Sequence, residues 1–159
     1  MRPRKIRSGD LDWIHALNEA HSTELSPVSR ERLVELVEGA FYVKALDDRA
    51  AFMLAFDQLA DYDSPNFLWF KQRIPRFVYV DRVVVSSSHR RMGLARRLYE
   101  DLFRCARARD HVEIVCEVNA QPPNPMSDAF HASLGFEHMG EADLEDRAKS
   151  VRYLRCDLT

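Results

Sequence analysis

Apolar and polar positions recur along this chain with two periods, and the places where the period changes mark its elements. Residues 2–7 read as a short first strand. Ser8 and Asp10 then offer capping groups for a helix that carries Leu11, Trp13, Ile14 and Leu17 and ends near His21. After a polar connection at 22–27, Ser29 opens a second helix with Leu33, Leu36 and Val37 inward, closed by Gly39. Two β-type runs, 41–46 and 50–57, are joined by Asp47-Asp48-Arg49 and read as a hairpin. The stretch 77–85 is the clearest strand, because seven of its nine residues are β-branched or aromatic. A polar turn follows at 86–93, and then Leu94, Leu98, Leu102 and Ala106 recur at the spacing of a helix. Residues 111–119 form another strand, broken by Gln121-Pro122-Pro123. Asn124 is placed to cap a helix with Pro125 at its first position and Gly135 at its end. Runs at 136–142 and 151–158 close the chain. The order β-α-α-β-β-β-α-β-α-β-β predicts an α/β (α+β) fold, a mixed central sheet of about six or seven strands with about four helices on its two faces.

One segment breaks the pattern. Residues 59–76 are long for a connection and rich in aromatics, and long ordered loops in small domains tend to carry function. Phe67, Leu68, Trp69 and Phe70 fit a single buried turn of helix that plugs the core, whereas Tyr62 and Asp63 suit a substrate wall.

Composition narrows the class. At 159 residues with 46% apolar content the chain is one domain, 1–159. A net charge of −2 gives no general case for a nucleic-acid or membrane partner, although basic residues crowd into 90–109. Three cysteines, Cys105, Cys116 and Cys156, lie in apolar patterns without metal-ligand spacing, so we expect buried free thiols in a reducing cytoplasm and no metal site. No apolar run is long enough for a membrane span, and residues 1–7 lead into no hydrophobic segment of the kind a signal peptide has.

The turn between the 77–85 strand and the next helix carries the candidate chemistry. Gly93 permits close approach of a ligand, the small Ala95 leaves room beside it, and the free N–H groups of a helix N-terminus suit a phosphate, with Arg90, Arg91, Arg96 and Arg97 adding charge. A solvated helix opened by a basic turn would look similar. A mononucleotide P-loop is disfavoured because no Gly-Lys-Ser/Thr follows, and a Rossmann turn because position 96 is arginine. Arg90-Arg91-Met92-Gly93-Leu94-Ala95 fits Arg/Gln-x-x-Gly-x-Gly/Ala, placed after a strand. In this it resembles the pyrophosphate loop of the GNAT superfamily of acyl-CoA-dependent N-acetyltransferases. A second match lies downstream: the family's Asn-x-x-Ala-x-x-x-Tyr-x-x-x-Gly-Phe corresponds to Asn124, Ser127, His131, Gly135 and Phe136, with Ser127 in place of Ala and His131 in place of Tyr. The resemblance covers nearly the whole chain. It implies acetyl-CoA as cofactor, bound by Val83, Val84, Val85, Arg90, Arg91, Met92, Gly93, Leu94, Ala95, Arg96, Asn124 and Ser127. The Pro-rich approach to Asn124 is longer than in the family pattern, which leaves Glu117 and Asn119 without a fixed counterpart.

The reaction so implied needs a base, because an amine with a pKa near ~10 is mostly ammonium at neutral pH. Asp81, four residues before Val85, is the candidate by resemblance, and strand alternation places Tyr79, Asp81 and Val83 on one face. An Asp paired with Arg82 or Arg90 is the alternative. A bulge near Val84 or Val85 would supply an oxyanion-stabilising N–H, as in the family. His131 stands where the family has a general-acid tyrosine, and the alternative for it is a packed core histidine. Glu24, Tyr62, Asp63, Tyr79 and Asn119 are the candidates for the acceptor wall. The implied function is acetyl transfer from acetyl-CoA to a primary amine of a small molecule in a ternary complex. Acetylation of a protein N-terminus or lysine, and a silent acyl-CoA-binding sensor, remain open, and a homodimer is compatible with each.

Overall fold

The computed structural model describes residues 1–21, 25–144 and 149–159. Its elements are β1 (Arg4–Lys5), α1 (Leu11–Ala20), α2 (Arg30–Gly39), β2 (Tyr42–Leu46), β3 (Ala51–Asp57), α3 (Pro65–Lys71), β4 (Val78–Val85), α4 (Leu94–Ala108), β5 (Glu113–Gln121), α5 (Pro125–Ser133), β6 (Phe136–Leu144) and β7 (Lys149–Asp157). The strands form one mixed sheet in the order β1-β2-β3-β4-β5-β7-β6. Among the described residues only β4 and β5 pair in parallel. There are thus five helices among the described residues where about four were expected: the aromatic run at 67–70 is part of α3, a helix of 7 residues too short to declare itself by periodicity.

Local chemistry sets the boundaries. Ser29 Oγ accepts the Arg32 amide at the start of α2, and Asn124 Oδ1 accepts that of Ser127 at the start of α5. Gly135, at φ +98°, ends α5 in the left-handed region that favours glycine. On one face of the sheet α4 buries Leu94, Leu98, Leu102 and Ala106 against Val78, Val80 and Ile114. On the other, Ile14 of α1, Leu33 and Leu36 of α2, and Phe67 and Phe70 of α3 pack over Phe52, Leu54 and Tyr79. Leu68 is exposed, so Phe67 and Phe70 form the fully buried part of the plug and Trp69 packs half-buried beside them.

The strand alternation expected for β4 fails at one point. In the pairing with β3, Leu54 faces Arg82 and Ala55 faces Val80, so Asp81 is an extra residue. Tyr79 and Val84 lie on the α1–α3 side, Val80 and Val83 on the α4 side. Val83 therefore does not share a face with Tyr79. The bulge also lies earlier than expected, at Asp81, with Phe52↔Val84 and Ala51↔Val85 in regular register.

Candidate active site

The sheet is split where its two central strands part. β4 and β5 pair only at Val78↔Ile114 and Tyr79↔Val115. Beyond Tyr79 the β5 side of β4 has no strand neighbour among the described residues, so backbone N–H groups of the 80–85 stretch face an open cleft. A cavity of about 210 Å³ lies on the α4–α5 side, lined by Val80, Val83, Tyr99, Asn124, Ser127 and His131. A second of about 640 Å³ lies on the other side, lined by Arg32, Tyr62, Asp63, Asn66, Tyr79, Asp143 and Lys149 among others. Asp81, Arg82, Glu117, Asn119 and Leu25 border both, and this is where the two cavities meet.

Glu117 of β5 is the titratable group at that junction. The Tyr79 hydroxyl donates to its Oε2 at 2.8 Å and to its Oε1 at 3.0 Å, and Asn66 Nδ2 donates to Oε1 at 3.0 Å. Burial pushes its carboxyl up to about 7; the Tyr79 hydrogen bond works against this, and the negative charge of Asp81 adds to it. A carboxyl so tuned exchanges protons at neutral pH.

Asp81 has different surroundings. Arg82 Nε lies 2.7 Å from Asp81 Oδ2, with both side chains only 4% exposed. Tyr62 donates to Oδ1 at 2.6 Å. Arg82 Nη1 also reaches Asn18 Oδ1 of α1 at 3.0 Å, tying the bulge to the helix layer. Both carboxylate oxygens of Asp81 thus have short donors. The alternative pairing with Arg82 is the one present.

His131 is buried on α5. Its Nδ1 lies 2.7 Å from the Ser127 carbonyl, which can only accept, so Nδ1 carries the proton; Nε2 faces the Tyr99 hydroxyl at 3.3 Å and accepts. Burial holds its pKa below the usual histidine value, against an opposing pull from the Ser127 hydrogen bond and Asp128. At neutral pH it is an uncharged imidazole whose one N–H is already engaged.

The remaining expected positions divide by place. Gly93 takes φ +72° at the head of α4, with open space where a Cβ would stand. The first helical bond there runs from Arg97 N–H to Gly93 O, leaving the N–H groups of Leu94, Ala95 and Arg96 directed out of the helix end. Arg90, Arg91 and Met92 are exposed around this turn, while Arg96 hydrogen-bonds Ser133 Oγ at 2.6 Å. Of the three valines, Val83 lines the smaller cavity; Val84 is buried in the opposite core layer, and Val85 packs half-buried on the α4 side. Asp63 is exposed, 3.4 Å from Arg32. Tyr62, Tyr79 and Asn119 border the larger cavity, and Glu24 lies outside the described residues. The site residues not singled out from sequence are Glu117, Asn66, Arg82 and Tyr99. For Glu117 a signal existed: it is the one carboxylate inside the apolar run Ile114-Val115-Cys116-Glu117-Val118.

A split central sheet with a glycine-headed helix beside the split is accompanied by a match to the acetyltransferase (GNAT) family model over residues 11–136. The chain belongs to that family. No curated protein matches it significantly. Among solved structures, this GNAT chain is similar to the ribosomal-protein-S18-alanine N-acetyltransferase of Escherichia coli, at 16% identity and a TM-score of 0.70, over 99% of this chain and 93% of that one. The ribosomal-protein-alanine N-acetyltransferase of Brucella melitensis aligns at 20% identity and TM-score 0.72, over 99% of each chain. The structure of yncA from Salmonella typhimurium with its cofactor acetyl-CoA aligns at 20% identity and TM-score 0.72, over 100% of this chain and 94% of that one. At these identities the likeness is one of fold. Among the described residues, no helix is long and apolar enough to cross a membrane.

Proposed function

We propose that this GNAT acetyltransferase moves an acetyl group from acetyl-CoA to a primary amine of a small molecule, with both bound at once across the split in the sheet. The observation that carries this reading is Glu117, a carboxyl pushed up to about 7 where the two cavities join. The residues present suit acetyl-CoA: Gly93 leaves its Cβ position empty, the N–H groups of Leu94, Ala95 and Arg96 form an anion cradle, and the smaller cavity continues from β4 to Asn124. What acetyl-CoA supplies when bound is an acetyl thioester open to attack by nitrogen.

The chain's own groups then have separate tasks. Glu117 accepts the proton that the acceptor ammonium must lose, with Tyr79 and Asn66 donating to the carboxylate form. Asp81 and Arg82 neutralise one another and hold the bulge to α1, so Asp81 shapes the cleft and acts on the base through its charge. On the cofactor side, Tyr99 and His131 both border the smaller cavity; the His131 Nδ1–H is engaged by the Ser127 carbonyl, so the Tyr99 hydroxyl, which donates to His131 Nε2, is the group of the pair that can turn its proton to the departing thiolate. Backbone N–H groups along the unpaired edge of β4 are the donors for an oxyanion.

The volume of the larger cavity, about 640 Å³ and bordered by the α1–α2 connection and by β6 and β7, favours one second reading, a protein α-amine as acceptor. Thiol release from acetyl-CoA should be measured against a panel of small primary amines and short peptides with free N-termini. Turnover with small amines and none with peptides is expected. Turnover with peptides alone would replace the small-molecule reading, and thiol release with no acceptor in a broad panel would favour a silent binding module. We place the protein in the cytoplasm, a reading supported by its free cysteines Cys105, Cys116 and Cys156.

A further inference from the structure

The side-chain amide of Asn66 is held at both ends. Its two neighbours are the Glu117 carboxyl and the Tyr153 hydroxyl, 3.0 and 2.8 Å away. The ionised form of Glu117 only accepts, so the end facing it is Nδ2; that leaves Oδ1 to be supplied with a donor, and the Tyr153 hydroxyl supplies it. Turning the amide over would set two acceptors against each other at Glu117. Asn66 itself is buried, at 8% exposure.

The element that carries Asn66 is ordered by its side-chain packing. α3 has only 7 residues, and a helix that short is held by packing rather than propensity. Phe67 and Phe70 are fully buried, Trp69 stacks on the Tyr153 ring with centroids 4.0 Å apart, and Arg73 covers the other side of the indole at 3.9 Å. Gly140 of β6 makes room for that indole, since a Cβ there would lie 2.6 Å from Trp69 Cζ2. These contacts clamp α3 on β6 and β7, and the polar product of the clamp is one amide aimed at Glu117.

We infer that Asn66, fixed from behind by Tyr153, is a positioning residue for Glu117: it turns one donor onto Oε1 and so holds the carboxylate in the orientation in which it meets the acceptor amine. This rests on Glu117 being the base. The other titratable or charged groups that border Glu117 or act on it through charge are Tyr79, Asp81 and Arg82 of β4, Cys116 of β5, Tyr153 of β7, Tyr62 ahead of α3 and Tyr99 of α4. Among the described residues only Tyr79 and Asn66 donate side-chain hydrogen bonds to it. Removing the Asn66 donor leaves burial and Asp81 less opposed, and the carboxylate form is disfavoured.

The test follows the Glu117 carboxyl by ¹³C NMR titration in the whole protein without substrates, beside the pH dependence of kcat, in the wild type, Asn66→Leu and Tyr153→Phe. Tyr153→Phe keeps the ring that stacks on Trp69, so it probes the same hydrogen-bond chain if Asn66→Leu does not fold. The expected result is a Glu117 midpoint raised by about one pH unit in Asn66→Leu. In Tyr153→Phe it rises less, the acid limb of kcat moves with the midpoint in both, and KM for acetyl-CoA is unchanged. A midpoint that stays in place in both variants overturns the positioning role whatever Glu117 does in catalysis. A midpoint that moves while the limb stays overturns the base assignment beneath it.

Discussion

The Tyr79 hydroxyl lies 2.8 Å from Oε2 and 3.0 Å from Oε1 of Glu117, reaching both oxygens from a neighbouring strand. Tyr79 is buried against Phe67 and Phe70, and its hydroxyl donates to Glu117. Tyr79→Phe keeps the ring packing and removes that donor. The acid limb of kcat should rise by about one pH unit, since one hydrogen bond to a charged group is worth ~1.5–3 kcal/mol and opposing relaxation reduces it. A limb that stays at its wild-type position would detach Tyr79 from the base.

Stability should record the same carboxyl with opposite benefit. In the unfolded chain Glu117 titrates near ~4.3, whereas in the folded protein it titrates at about 7. Between these values the native state keeps a proton that the unfolded chain has released, so wild-type stability falls as pH rises through that window and levels off above it. Glu117→Gln removes the dependence. Thermal melts of both proteins at pH 4.5 and pH 8 should show the variant gaining on the wild type as pH increases. An equal difference at both pH values would mean that the folded carboxyl titrates normally.

Asp81→Asn separates scaffold from base. Removing one member of a nearly dry ion pair leaves the Arg82 guanidinium uncompensated, and the loss should be about 3 kcal/mol in a denaturant melt. Because Asp81 is held by Arg82 and Tyr62, the acid limb of the residual turnover should move to lower pH, as the charge that disfavours Glu117 ionisation has gone. Turnover that recovers only at high pH, with stability untouched, would return the base role to Asp81.

What the sequence disclosed is what local chemistry controls. Ser29 at the head of α2, the hairpin at Asp48 and Arg49 with φ of 61° and 53°, Gly93 at φ +72° and the Asn124 cap with its terminal Gly135 all act within a few residues of themselves, and each falls where periodicity and capping placed it. Less legible were features set by partners distant in sequence. The bulge at Asp81 is a property of the β3–β4 register, and without it Asp81 and Val83 would share a face. Glu117 takes its character from Tyr79, 38 positions earlier, and from Asn66, 51 positions earlier. Of α3 only the single turn at 67–70 was legible, because its order comes from aromatic packing on Tyr153, not from helix periodicity. For His131, spacing gave the position, and only the surrounding carbonyl and hydroxyl show which nitrogen bears the proton.

Whether Glu117 is the base is decided by the pH dependence of kcat in the wild type and Glu117→Gln, measured with whichever amine supports turnover. The wild type should show an acid limb close to pH 7, where its carboxyl titrates. In Glu117→Gln that limb should vanish and kcat at pH 7.5 should fall on the order of 10²-fold, with KM for acetyl-CoA nearly unchanged, which is the size expected for loss of a general base. The same limb and the same kcat in both proteins would contradict the account.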